Sequence, residues 1–153
     1  MQNGTINRSD AATRSFNELT DRVIGDCIEI HRALGPGLLE SAYEECLCYE
    51  LSDAGIPFER QKPLPVVYKD VTLDCGYRLD LVVADKLIVE LKSVESLLPI
   101  HEAQLLTYLK LSGLTLGLLI NFNVAMLKQG IKRIVNNFQD SASPRLCGEI
   151  KFG

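Results

Sequence analysis

Residues 77–92 read Tyr-Arg-Leu-Asp-Leu-Val-Val-Ala-Asp-Lys-Leu-Ile-Val-Glu-Leu-Lys, two apolar, β-branched runs joined by a short polar break at Ala84-Asp85-Lys86, the pattern of a β-hairpin. Strand side chains alternate faces, so Ile88, Glu90 and Lys92 share one side while Leu87, Val89 and Leu91 take the other. On the first strand Asp80 and Val82 share a face, and Leu79, Leu81 and Val83 the opposite one. Loop length then decides the chemistry. If Val83 and Leu87 close around three residues, Asp80 lies across from Glu90. A two-residue loop at Asp85-Lys86 would pair Glu90 with Leu81 and send the two acids to opposite faces. The expectation is the odd-length connection or a bulge, although no glycine is available for the left-handed position such loops use.

Two carboxylates facing each other across a strand pair repel unless positive charge sits between them, and Lys92 supplies only one. Oxygen ligands from Asp80 and Glu90 suit a hard divalent cation, magnesium or manganese. The plainer alternative is a solvated polar face with ordinary cross-strand ion pairs.

Length and composition narrow the setting. A chain of 153 residues fits one domain and can bury a full core. A net charge of −4 excludes a general affinity for nucleic acid, so such a partner needs a local basic patch. Five cysteines, Cys27, Cys46, Cys48, Cys75 and Cys147, are odd in number and lack zinc-type pair spacing. Together with the absence of an apolar leader stretch or a long apolar run, they point to a cytoplasmic protein with reduced thiols.

Working outward, residues 1–15 are polar and read as a flexible arm, residues 16–140 as one domain, and residues 141–153 as a tail. A first helix is expected over about Asn17–Leu34, with Leu19, Val23, Ile24, Cys27, Ile28, His31 and Leu34 at helical spacing, ended by Gly35-Pro36-Gly37. A second, about Leu39–Ala54, carries Ala42, Tyr43, Cys46, Leu47, Glu50 and Leu51 on one stripe. Phe58–Tyr68 is extended but interrupted by Pro63 and Pro65, as an edge strand would be. Val71–Cys75 leads into the hairpin. Pro99 opens a third helix that stops near Gly113, and Leu116–Ile120 is apolar throughout, as in a strand covered on both faces. Leu127–Phe138 reads equally as strand or helix. The order predicts an α/β fold, a central mixed β-sheet flanked by helices.

Two helices add to the hairpin. Gln104 and Tyr108 are spaced i, i+4 and share a face, with His101 a further turn back. Pro99 places the first turn of this helix, with its unpaired N–H groups, just beyond Lys92 and near the acids. The second helix opens with Glu40 in its first turn, where the helix dipole favours a carboxylate whatever its role. Glu44, Glu45 and Glu50 are further acids on the same helix.

Asp80, then Glu90-Leu91-Lys92, then Gln104 and Tyr108 resemble the signature of the PD-(D/E)xK nuclease superfamily. The Gln-x-x-x-Tyr element is similar to that of its recombination-exonuclease branch. The segment GPGLLESAYEECL at 35–47, with its spacing to YRLDLVV and VELK, resembles the small bacterial GxxExxxY proteins of that superfamily, over about Asn17–Val135. Leu79 departs from the proline often found before the aspartate. Only Ser41 and Ala42 separate Glu40 from Tyr43, which leaves the role of Tyr43 open.

The resemblance implies a restriction-endonuclease-like αβββαβ core. It also implies that Asp80 and Glu90, with the Leu91 carbonyl, hold Mg2+ or Mn2+, and that Glu40 touches the metal directly or through water. Lys92 would orient or deprotonate the attacking water, while Gln104 and Tyr108 would hold Lys92 or the nucleic-acid backbone. The function that follows is a magnesium-dependent nuclease hydrolysing phosphodiester bonds, in DNA before RNA. The alternatives are a catalytically silent module on the same fold, binding nucleic acid or protein, and a small-molecule phosphate hydrolase. An acidic domain of this size invites a homodimer or a partner protein to hold its substrate. Arg60, Lys62, Lys128, Lys132 and Arg133 are the candidate backbone contacts, against the plainer reading of a solvated face.

Overall fold

A computed structural model describes residues 8–137, with side chains from residue 15. Its elements are helices α1 (Arg8–Leu34), α2 (Glu40–Asp53) and α3 (Pro99–Ser112), and strands β1 (Phe58–Pro63), β2 (Val66–Tyr68), β3 (Val71–Leu73), β4 (Arg78–Val83), β5 (Leu87–Lys92), β6 (Leu116–Asn121) and β7 (Ile131–Val135). The main sheet runs β1-β4-β5-β6-β7, and β2 pairs only with β3. β5 and β6 are parallel and every other neighbouring pair is antiparallel. Parallel neighbours need a crossover, which α3 supplies. The order α2-β1-β4-β5-α3-β6 gives an αβββαβ core inside a mixed sheet flanked by helices.

The layers follow from patterning. Val23, Cys27 and Ile30 of α1 and Tyr43, Leu47 and Leu51 of α2 pack on Leu81, Val83, Val89, Leu91, Leu118 and Ile120. Leu105, Tyr108 and Leu109 of α3 cover Val82, Ile88 and Leu119 on the other face. The apolar run in β6 is thus buried on both sides, as its composition predicted. β1 lies at the sheet edge, where its terminal Pro63 removes no needed ladder bond. α3 opens with Pro99 and closes on Gly113, whose φ of 76° is the left-handed cap that glycine takes without penalty.

Some expectations change. α1 spans Arg8–Leu34, so helix is present ahead of the start expected near Asn17. Residues 1–7 and the tail at 141–153 lie outside the described residues. Leu34 is 45% exposed, off the stripe predicted for it. Glu44 of α2 is buried, with Arg60 and Gln61 on its carboxylate. The ambiguous segment after residue 126 is a 3-10 turn, Leu127–Gly130, followed by strand β7. The described cysteines, Cys27, Cys46, Cys48 and Cys75, are all free thiols; burial raises the pKa of Cys27 and Cys48. No described helix is long and apolar enough to cross a membrane.

Candidate functional site

The hairpin closes Val83 against Leu87, with Val82 opposite Ile88 and Leu81 opposite Val89. This is the three-residue loop, and the same register places Asp80 across from Glu90. With no glycine present, Ala84 and Asp85 themselves take φ of 52° and 55°. The Lys86 N–H donates to the Val83 carbonyl at 3.0 Å across the turn.

At Asp80 the sheet is interrupted on both sides. The β4–β5 ladder stops at Leu81 and Val89. The β1–β4 ladder pairs Arg60 with Leu81 and Lys62 with Leu79 but skips the place between, where Gln61 has a φ of 48°. Face alternation slips with it. Leu79 joins Val82 in the cluster under α3, while Leu81 and Val83 face α1 and α2. This corrects the expectation that Leu79, Leu81 and Val83 share a face, and that Asp80 shares one with Val82. Asp80 instead lines a cavity of about 210 Å³ with Glu40, Ser41, Glu44, Gln61 and Leu91, on the α2 side.

Where the ladder fails, carboxylates take its place. The Asp80 N–H donates to Glu90 Oε1 at 3.1 Å, and the Leu91 N–H donates to Asp80 Oδ2 at 2.9 Å. The two acids therefore meet within the gap, as the loop length required. Glu90 is only 6% exposed. Burial, and then the neighbouring Asp80 carboxylate, push its pKa far above the ordinary carboxylate range, with Lys92 opposing the rise.

The other predicted residues fall around this pair. Lys92 ends β5, half-buried, its carbonyl accepting the Phe122 N–H at 2.9 Å. Glu40 lies at the cavity rim, where its Oε1 accepts the Ser93 N–H at 3.2 Å, and Ser93 Oγ donates to the Leu38 carbonyl at 2.7 Å. These bonds tie the start of α2 to the residue after Lys92. Glu40 does not complete a tight triad with the pair; among the described residues, three carboxylates within 4.8 Å of one another occur at Asp26, Glu29 and Glu50, on α1 and α2, where Arg22 pairs with Asp26 at 3.2 Å. Tyr108 has a raised pKa, from burial and then from Glu90, Tyr77 and Asp80, with Gln104 opposing the rise. Tyr108, in the second half of α3, is a residue of this helix that senses the acids. In the first turn of α3 His101 Nδ1 accepts the Leu98 N–H at 3.0 Å, a helix-capping contact.

Further residues emerge only in three dimensions. Glu44 enters the cavity already compensated: Arg60 donates to its Oε2 at 3.1 Å and Gln61 to its Oε1 at 2.8 Å. The β1–β4 register would have set Gln61 beside Asp80, had pairing been known. Asn121 is 1% exposed and grips the loop after Lys92, accepting the Val94 N–H at 3.0 Å and donating to the Val94 carbonyl at 2.9 Å. Tyr43 is buried, its hydroxyl donating to the Gly35 carbonyl at 2.6 Å and accepting the Leu38 N–H at 3.1 Å, its ring stacked on Phe122 at 4.1 Å. It fastens the Gly-Pro-Gly break. Of the candidate backbone contacts, Arg60 pairs with Glu44 and Glu45, Lys62 with Glu59 and Lys132 with Glu102; Lys128 and Arg133 are exposed.

This donor set fits a hard divalent cation. Asp80 and Glu90 each commit one oxygen to a backbone N–H. The unfavourable charge on buried Glu90 is the electrostatic demand that a cation beside it would meet.

A family model described as the PD-(D/E)XK nuclease superfamily matches residues 17–134. Comparison with curated proteins and with solved structures gives no match.

Proposed function

This chain belongs to the PD-(D/E)XK nuclease superfamily, and from that premise we propose that it is a magnesium-dependent nuclease, hydrolysing phosphodiester bonds in nucleic acid with DNA preferred to RNA. Manganese is an equivalent metal on the same oxygen donors. The observation that carries the reading is the double interruption of the sheet at Asp80, which delivers two carboxylates into one gap beside Lys92. A sheet gives up ladder bonds at a cost, and here the two carboxyls accept the freed N–H groups, setting side by side a pair of acids that a cation would hold in their charged form.

In this reading Asp80 and Glu90 hold the cation, with the Leu91 carbonyl as a further oxygen and Glu40 reaching it from the cavity rim. Bound there, a divalent cation lowers the pKa of a coordinated water and stabilises charge building on the phosphate. Lys92, at the end of the same strand, orients the attacking water, takes its proton or offsets charge on the phosphoryl oxygens. Gln104 and Tyr108, one turn apart on α3, position Lys92 or the strand being cut. Glu44, held by Arg60 and Gln61, shapes the cavity wall and is not the third ligand. Within the superfamily, the Glu40 segment and the Gln104–Tyr108 pair favour the GxxExxxY proteins with a QxxxY element.

The test is incubation of plasmid and oligonucleotide DNA with purified protein and magnesium or manganese. Wild type should cleave. Lys92→Met should lower the rate by roughly a hundredfold to ten-thousandfold, the usual loss of a proton-transfer group, and Glu90→Gln should abolish metal-supported cleavage. The competing reading is a silent binding module, and the distance of Glu40 from the acid pair is the observation on its side. DNA binding without turnover under every metal would decide for it.

A further inference from the structure

Between residues 67 and 77 five large side chains, Val67, Tyr68, Val71, Leu73 and Tyr77, are exposed by 41–60%. The β2–β3 ribbon that carries four of them pairs with nothing but itself. A lone two-stranded ribbon is marginal in water, and Tyr68, its partner Val71 and Leu73 give one of its faces an exposed apolar surface. The ribbon leaves the main sheet beyond the Pro63–Arg78 pair, two residues from Asp80. It therefore stands at the end of the sheet where the acids meet.

Tyr77 is its root and is firmly placed. Its carbonyl accepts the Leu64 N–H at 2.9 Å, and the preceding Gly76 N–H donates to Asp74 Oδ1 at 3.0 Å. Its ring lies 6.2 Å from that of Tyr108, tilted by 56°, and Tyr108 feels both Glu90 and Asp80. Yet Tyr77 is 46% exposed, so a well-anchored ring presents aromatic surface to solvent beside the acid pair. Arg78, exposed, is its neighbour in sequence.

Charge says what kind of strand would use that surface. The protein carries −4 overall, the cavity is lined by Glu40, Glu44 and Asp80, and Arg60, Lys62 and Lys132 are each paired with carboxylates. With those three cations already engaged, base faces are a further source of affinity. A duplex keeps those faces stacked inside, whereas a single strand offers them, each worth roughly five- to a hundredfold in affinity on an aromatic ring.

We propose that Tyr77 is a stacking platform for an unpaired base and that the preferred substrate is single-stranded nucleic acid, passing between the β2–β3 ribbon and the acids. The proposal rests on the nuclease reading and adds its substrate class. Tyr77 acts as a specificity residue; it moves no proton.

The experiment measures anisotropy of a fluorescein-labelled oligo-dT and of a blunt duplex of equal length, with calcium in place of magnesium. Wild type should favour the single strand. Tyr77→Leu, which keeps an apolar side chain but loses the ring, should cut the single-strand to duplex affinity ratio roughly tenfold, and Tyr77→Phe should restore it. An unchanged ratio in Tyr77→Leu overturns the platform without bearing on the nuclease reading. Equal wild-type affinity for both probes does the same. Wild type that binds neither probe and cleaves nothing overturns this proposal together with the nuclease reading. Concentration-dependent dimerisation in sedimentation, lost in Val71→Lys with no change in oligo-dT binding, would assign the ribbon to a second copy and overturn the path proposed for the strand.

Discussion

Glu90 shows what a ladder bond and a charge are worth when they compete for the same place. Its carboxyl accepts the Asp80 N–H that a strand partner would otherwise take, and burial beside Asp80 favours its protonated form. A group that binds its proton more tightly in the folded state stabilises the fold at low pH. Glu90 therefore contributes fully below about 4.5 and loses that contribution as pH rises towards about 9. In chelator-treated protein, the urea midpoint should fall across this window, and Glu90→Gln should flatten the slope because an amide does not titrate. An identical slope in the variant would show that Glu90 is not the responsible group. The pairing of Asp80 with Glu90 could be read from the parity of the loop. The slip in alternation at Asp80 could not, because it arises from β1, a strand distant in sequence, where Gln61 leaves the ladder.

At the scale of the element, the hairpin turn carries strain that its sequence half announces. Ala84 and Asp85 both occupy the left-handed region, which costs a non-glycine residue about 1–2 kcal/mol. Asp85 is exposed, so exchanging it removes no packing. Asp85→Gly should raise stability by about 0.5–1 kcal/mol, the relief of strain being partly offset by the greater freedom of glycine in the unfolded chain. An upward shift in the urea midpoint is the expected result; a fall would mean the turn has another geometry. The helices were legible for a simpler reason. Gly35-Pro36-Gly37, Pro99 and Gly113 are strong local punctuation, and each stands at an observed boundary. The start of α1 was harder to read, because the polar residues before Asn17 suit an arm as well as a solvated helix.

For the whole molecule, the acid pair makes metal binding and stability one equilibrium. A cation that binds only the folded protein adds about 2.7 kcal/mol at a hundredfold excess over its Kd. The Tm should therefore rise by several degrees in saturating magnesium, and Asp80→Asn should remove the rise while leaving the cation-free protein folded. Wild type whose Tm ignores magnesium and manganese alike would contradict the assignment of Asp80 and Glu90 to a metal. The layered arrangement behind this site, with α1 and α2 on one face and α3 on the other, follows from apolar periodicity summed over many residues, which makes it tolerant of an error at any one of them.

By itself the sequence determined the architecture, the hairpin parity, and the Asp80, Glu90 and Lys92 neighbourhood, since these rest on spacing within one short segment and on patterns repeated along each element. Tertiary structure alone decided that the sheet opens at Asp80, that Glu44 is already held by Arg60 and Gln61, that Asn121 clasps the loop after Lys92 and that Tyr77 rests against Tyr108. Each of these contacts joins residues brought together by the pairing or packing of separate elements, and no local periodicity encodes which partner a strand or helix will meet.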